Sequence, residues 1–246
     1  MPRILITGAT DGLGRALAHE LVARGHDVVV HGRRRERAEA VANEIGGAEV
    51  VVADFARLDD VRALRAGGID VLVNNAGIIA PERRLSEDGI ELTLQVNHLA
   101  GFLLTLQMLP PRTVNVASVG QRAPDFGDLR LERGYDGYTV YTQSKLAQIM
   151  FTFELAERRR DLVVNALHPA TLMDTKMVRE TFGRSRSTVA EGVEATASLV
   201  ERDEVSGRYF DGLRESRADR AAYDADARRR LWDVSAELTS APPLAR

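Results

Sequence analysis

Ile4-Leu-Ile-Thr-Gly-Ala-Thr-Asp-Gly-Leu-Gly14 decides the fold of this chain. An apolar triplet runs into a turn with glycines at 8, 12 and 14, and a helical pattern follows over 15–24. A strand that passes through a glycine-rich turn into a helix opens a βαβ unit. Glycine lets the backbone approach a pyrophosphate closely, and the free N–H groups and positive end of the following helix meet its charge. A tight turn without a ligand is the competing reading. The position of the glycines at the first β-α junction favours a dinucleotide.

Outward from that turn, short β-branched runs alternate with longer helical patterns. Strands are expected at 4–7, 28–31, 49–53, 71–74, 113–117 and 162–167, with helices at 15–24, 35–45, 58–66, 87–108 and 140–160. The strands are nearly all apolar, as strands covered on both faces are. The alternation predicts an α/β fold, a Rossmann-type doubly wound parallel sheet in a single domain over 1–246. Between 170 and 188 the pattern lapses into a polar segment with Met173, Met177 and Phe182. A helix at 189–202, a short strand at 208–210 and a polar helix at 219–238 close the fold, and the tail 241–246 is expected to fray.

Composition excludes several classes. With 246 residues, 44% hydrophobic and 28% charged, the chain reads as an ordered globular protein. A net charge of -3 offers no general field for nucleic acid. No cysteine is present, which removes disulfides, thiol nucleophiles and Cys-based metal sites. The five histidines form no ligand pair and read as structural, so no metal is expected. The apolar stretch 99–109 is too short to span a bilayer, and the start of the sequence reads directly into a strand with no room for a signal peptide. A cytoplasmic protein is expected.

Candidate chemistry is concentrated in Gly137-Tyr-Thr-Val-Tyr-Thr-Gln-Ser-Lys145. Tyr141 and Lys145 stand four residues apart, on one face of a helix. An ammonium beside a phenol favours the phenolate and should lower the tyrosine pKa toward the working pH. Lys145 and Lys176 are the two lysines among 33 basic residues, so a chain that otherwise uses arginine has a lysine here. A surface helix bearing Tyr and Lys by accident is the bland alternative.

Other positions point the same way. Ser118 ends the fifth strand, at the edge where open α/β sheets bind ligands. Asn97 lies inside a predicted helix, a poor place for an amide unless its side chain is needed. With Tyr141 and Lys145 these residues supply hydroxyl donors for a developing alkoxide, a tuned proton source and a polar group to hold a water relay. Asn74-Asn-Ala-Gly77 follows the fourth strand and suits a backbone passing close to a cofactor. Asp54 closes the third strand, either to bond an adenine amino group or to cap the helix at Leu58. After the second strand the usual acidic ribose ligand is replaced by His31-Gly-Arg-Arg34, which favours NADP(H) over NAD(H), with Arg33 on the 2′-phosphate. Asp11, inside the glycine turn, gives no help to a phosphate.

The chain resembles the short-chain dehydrogenase/reductase family, single-domain type. The motif TGxxxGxG at 7–14, NNAG at 74–77, Asn97, Ser118 and YxxxK at 141–145 stand in family order over residues 3–240. The stretches 96–105, 165–169 and 206–210 resemble the branch that contains retinol dehydrogenases. The resemblance implies hydride transfer between a nicotinamide and a carbonyl or alcohol. Tyr141 would be the acid/base, Lys145 its partner and a ribose ligand, Ser118 the substrate-oxygen donor and Asn97 the relay residue. It also implies cofactor contacts at Gly8, Thr10, Gly12, Leu13, Gly14, Arg33, Asp54, Asn75, Ala76, Gly77, Tyr141, Lys145, Pro169, Thr171 and Thr175. The family's Pro-Gly after the sixth strand is here Pro169-Ala170, and its carboxamide-binding threonine is Thr175, one place late, or Thr171. Segment 170–188 would act as a substrate lid.

The expected function is NADP(H)-dependent oxidation or reduction of a small, lipophilic molecule. A silent NADP(H)-binding sensor is the alternative, opposed by the intact Asn97, Ser118, Tyr141 and Lys145. The family pairs the helices expected at 87–108 and 140–160 between copies, which implies a homodimer or homotetramer.

Overall fold

A computed structural model describes residues 1–129 and 131–244. Eight strands form one sheet in the order β3-β2-β1-β4-β5-β6-β7-β8: β1 (Arg3–Ile6), β2 (Asp27–Gly32), β3 (Glu49–Val52), β4 (Val71–Asn74), β5 (Arg112–Val116), β6 (Val163–His168), β7 (Arg208–Asp211) and β8 (Arg214–Ser216). Strands β1 to β7 pair in parallel and β8 returns antiparallel on β7. The predicted doubly wound sheet is present. The edge strand β8 was not anticipated, because its three residues are all exposed and carry no apolar pattern.

Side-chain alternation sends the central strands to two cores. Ile4, Ile6, Val28, Val30, Val71 and Val73 pack with Leu13, Leu17 and Leu21 of helix α1 (Gly12–Ala23). Leu5, Val29 and Leu72 face the other way. On that side they meet Leu58 and Val61 of α3 (Leu58–Ala63) and Leu103 and Leu104 of α5 (Ala100–Met108). Helix α2 (Arg35–Glu44) covers the β2–β3 side.

The helix expected at 87–108 is divided. Gly89 at φ +73° makes a turn in which Ser86 N–H bonds Ile90 O at 2.8 Å, so 87–91 is not helical. Glu91 then caps the short helix α4 (Leu92–Leu94) through Leu94 N–H at 2.7 Å. Gln95–Leu99 forms a π-helical turn before α5 begins. A π turn of this kind displaces side chains from normal helical positions and is common at functional sites. It contains Asn97.

Helix α6 (Gly137–Arg158) starts three residues before expectation because the Asp136 carboxylate accepts Thr139 N–H at 2.8 Å. The polar segment after β6 contains α7 (Lys176–Phe182), none of whose residues is buried. Helix α8 (Val189–Glu201) follows with a Thr188/Glu191 capping box. The polar helix expected at 219–238 is a 3-10 turn (Arg220–Tyr223) and then α9 (Ala225–Thr239). Of the tail expected to fray, Ala241 and Leu244 pack against the core, and 245–246 lie outside the described residues.

Helix α9 packs on the two helices that the resemblance pairs between copies. Phe102 and Leu106 of α5 and Phe151 and Leu155 of α6 form one core with Trp232 of α9, and Leu146 and Met150 meet Leu231 and Ala222. Among the described residues, none from 99 to 109 or from 139 to 156 is exposed. This chain's own C-terminal segment covers apolar side chains of both helices.

Candidate active site

Strands β1 and β4 are neighbours, yet β1 leads on to β2 and β3 on one side while β4 leads to β5 and β6 on the other. The loops after β1 and β4 therefore diverge and leave a crevice at the carboxyl edge, where doubly wound sheets take ligands.

The loop after β1 is locked from beneath. Thr7 Oγ1 accepts the N–H groups of Asn75 and Ala76 at 2.9 and 3.0 Å, and Asn75 Nδ2 donates to Thr7 O at 2.8 Å. Gly8 takes φ +65°, and a Cβ there would lie 2.9 Å from Ala76 Cα. Gly14 has no room either, since a Cβ would lie 2.5 Å from Asn75 Nδ2. Asp11 caps α1 by accepting Gly12 N–H at 2.8 Å, while the N–H groups of Leu13 and Gly14 in the first turn have no intrahelical acceptor. The cradle has the donors and the glycine clearances that a pyrophosphate requires, so these residues fit a dinucleotide.

Around the cradle the expected positions differ in placement. Arg33 is exposed at the end of β2. Arg37, not singled out from the sequence, reaches Thr10 O and Asp11 Oδ2, each at 3.4 Å, so the carboxylate that argued against a phosphate has a guanidinium partner. Asp54 Oδ1 accepts Ala56 N–H at 3.0 Å and does not cap α3, whose first N–H goes to Asp88 Oδ2 at 2.9 Å. Thr175 lies on the glycine turn, its methyl 3.2 Å from where a Gly12 Cβ would stand. Thr171 is exposed, with Oγ1 3.0 Å from His168 Nε2, and Pro169 is buried against α8.

On the other side of the crevice the four candidate residues converge. The Tyr141 phenol stands beside the Ser118 side chain. Lys145, one turn further along α6, has Nζ 5.6 Å from the Tyr141 ring centroid and donates to Val116 O at 2.8 Å and Gln148 Oε1 at 3.0 Å. A Cβ on Gly77 would lie 3.4 Å from Asn97 Oδ1 and 3.6 Å from Lys145 Nζ, so the β4 loop passes beside both side chains at ordinary contact distance. Asn97 grips Ile78 at both ends, accepting its N–H at 2.8 Å and donating to its C=O at 3.0 Å, and it also donates to Ser144 Oγ at 2.9 Å. Two residues missed in the sequence hold Ser118: Tyr209 Oη and Gln121 Nε2 donate to its carbonyl at 3.1 and 2.9 Å. Tertiary contact brings Tyr209 there, whereas Gln121 lies in the same loop as Ser118.

The electrostatics correct one expectation. Burial raises the Tyr141 phenol pKa, opposed by the neighbouring Ser118 hydroxyl, whereas the ammonium was expected to lower it. Burial also pushes Lys145 down to about 7, so its charge is itself marginal near neutrality. A protonated phenol beside a half-charged amine is poised to donate a proton, and to leave a phenolate that the ammonium stabilises.

The family model for short chain dehydrogenases matches residues 2–185. The chain belongs to the short-chain dehydrogenase family. It is 34% identical over 277 residues to human "Retinol dehydrogenase 13", covering 96% of this chain and 83% of that protein, which places it in the retinol dehydrogenase-like branch. Among solved structures, an uncharacterised protein from Mycobacterium paratuberculosis matches with a TM-score of 0.86 and 31% identity over 100% of this chain and 96% of that one. A landomycin C-6 ketoreductase with bound NADP and rabelomycin matches at 26% identity and TM-score 0.67, over 86% of this chain and 94% of that one. So does a 3-ketoacyl-(acyl-carrier-protein) reductase from Brucella melitensis complexed with NADH, at 26% and 0.67 over 85% and 96%. This short-chain dehydrogenase is therefore an oxidoreductase of alcohols or carbonyls that uses a nicotinamide cofactor. No described helix is long and apolar enough to cross a membrane.

Proposed function

We propose that this chain is an NADP(H)-dependent carbonyl reductase or alcohol dehydrogenase for a lipophilic small molecule. The observation that carries the reading is Tyr141 beside Ser118 and one helical turn from buried Lys145, whose Nζ lies 5.6 Å from the Tyr141 ring centroid. Gly8, Thr10, Gly12, Leu13, Gly14, Asn75, Ala76, Gly77, Pro169, Thr171 and Thr175 would hold the cofactor, with Asp54 at the adenine end. A bound reduced nicotinamide supplies a hydride. Ser118 and Tyr141 bind the substrate oxygen, Tyr141 donates the proton, and the Lys145 ammonium stabilises the phenolate left behind. Asn97 fixes the β4 loop at Ile78 and stands beside Lys145, in place to hold a relay water.

Preference for NADP(H) is supported by Arg33 at the end of β2, where no carboxylate would repel a 2′-phosphate, and by Arg37 balancing Asp11. The lipophilic substrate is supported by an apolar rim. Val119, next to Ser118, is 56% exposed, Tyr138 50% and Phe182 37%, and the last two rings meet edge to face at 6.1 Å. Of Met173, Met177 and Phe182, Met173 packs in the core against α8. The segment 170–188, with α7 at its tip, is the lid of this reading. Its two ends are clasped by Arg186 N–H on Leu172 O at 2.9 Å and Asp174 N–H on Ser187 O at 3.1 Å. A cytoplasmic location and a monomer, with α9 covering α5 and α6, belong to the same proposal.

The test follows nicotinamide absorbance with NADPH and then NADH against carbonyls from small diketones to retinal, quinones and steroids. Turnover with a preference for NADPH, weakened about tenfold in Arg33→Ala, is expected. A preference for NADH would overturn the role of Arg33. Binding of NADPH without turnover of any carbonyl would favour the sensor reading.

A further inference from the structure

His31 lies at the penultimate position of β2, and its ring is 3% exposed. Its Nδ1 lies 3.1 Å from Gly8 N–H, in the loop after β1. A backbone N–H can only donate, so Nδ1 accepts and the ring proton resides on Nε2. That Nε2–H points to Ala53 O at 3.1 Å, in the loop after β3. The ring also stacks on Phe55, with centroids 4.5 Å apart and planes at 24°. Burial holds the imidazole neutral, with its pKa pushed down to about 4, so the tautomer and both bonds persist at neutral pH.

Two loops of the carboxyl edge thus meet on one imidazole carried by β2. The loop after β1 carries the phosphate cradle and the loop after β3 carries Asp54 and Phe55. Gly8 is held in the left-handed region, and its N–H is turned inward to His31 and away from the crevice. An acceptor on one side of a rigid ring and a donor on the other are needed to span that gap. An apolar ring of the same size would fill it but would leave Gly8 N–H and Ala53 C=O unpaired in a buried place.

We propose that His31 is a positioning residue for cofactor binding, its imidazole fixing the distance and orientation between the glycine turn and the loop that borders the adenosine end of the crevice. The inference rests on the reading that a dinucleotide occupies this crevice. Its effect falls on affinity for the adenosine and pyrophosphate part, since His31 is on the β2–β3 side, away from Tyr141 and Lys145.

The experiment measures dissociation constants of NADPH and of 2′,5′-ADP by titration calorimetry, with melting temperature and kcat at saturating NADPH recorded alongside. His31→Phe keeps the volume and the stack on Phe55 but removes both hydrogen bonds. His31→Gln keeps an amide acceptor and donor. About tenfold weaker binding of both ligands is expected in H31F, with kcat at saturation within about twofold and at least partial recovery of affinity in H31Q. Unchanged affinity in H31F, whatever its melting temperature, overturns the proposal. If H31F does not fold, H31Q decides alone: binding within about threefold of wild type supports the bridge, and a loss as large as tenfold overturns it. Wild-type protein that binds none of NADPH, NADH and 2′,5′-ADP overturns the dinucleotide reading itself and this inference with it.

Discussion

The Tyr141 phenol stands beside Ser118, and the carbonyl of Ser118 is in turn held by Tyr209 and Gln121. Two hydroxyls from different elements, one on the edge of β5 and one on α6, are thereby aimed at the same point. Replacing Tyr141 by Phe removes the proton donor and keeps the ring, so kcat/KM is expected to fall by roughly 10²–10⁴. Ser118→Ala removes a donor to the developing alkoxide, with a loss of roughly 10²–10³. Steady-state kinetics beside an unchanged NADPH dissociation constant for S118A checks both. A loss smaller than about tenfold in Y141F would move the proton transfer to another group.

Lys145 gives a pH dependence with a definite sign. Burial lowers its pKa from 10.5 to about 7, so the ammonium is present below about 7 and is lost as pH rises through that value. Tyr141 keeps its proton over the same range because burial raises its pKa. Reduction, which needs the phenol to donate and the ammonium to stabilise what remains, is therefore expected to slow above about pH 7, and the profile of kcat/KM reports the groups of the free enzyme. Lys145→Met should remove that limb and lower kcat/KM across the range. A profile flat from about pH 6 to about pH 9 in the wild type would contradict the coupling.

The glycine turn and the Tyr141/Lys145 pair were legible because each is a local spacing: glycines at a β-α junction, and two side chains one helical turn apart. The alternation of strands and helices gave the sheet for the same reason. What escaped reading was made by distant contacts. The π turn at Gln95–Leu99 leaves no periodic signature, and the Asp-Gly turn at 88–89 was read through as helix. His31 resembled any buried histidine until Gly8 and Ala53 met it from two other loops. The contact of α9 with α5 and α6 was not legible either, because a stripe that faces a partner and one that faces the chain's own helix have the same pattern.

Two neutral histidines make the fold sensitive to acid. Burial lowers His31 to about 4 and His98 to about 3, each from 6.5, and His98 Nδ1 has no hydrogen-bond partner. Their folded pKa values lie below the unfolded one, so the unfolded chain binds more protons as pH falls below about 6.5, and stability falls with it. Each is expected to remove roughly 2 kcal/mol between about pH 7 and about pH 5. Urea unfolding at the two pH values measures the sum. His98→Phe, whose ring would remain among Phe102 and Phe151, should halve the acid loss. An H98F protein with the full wild-type slope would refute the assignment.

Trp232 decides whether α9 replaces a second subunit. Its ring meets Phe102 at 5.2 Å and Phe151 at 5.9 Å, and the Arg158 guanidinium lies 4.3 Å from its centroid. Helix α9 thus presses an aromatic anchor into the groove between α5 and α6, where apolar side chains would otherwise be left open to water or to another copy. Trp232→Ala is expected to destabilise the chain by roughly 3–5 kcal/mol, the range for deleting a buried tryptophan or phenylalanine. Light scattering on the wild type should report a single chain of 27.0 kDa. W232A should either remain monomeric and less stable or begin to associate, because the groove it opens is apolar. A wild-type mass of two or four chains, unchanged in W232A, would show that copies pair through another surface and that α9 has no part in limiting assembly.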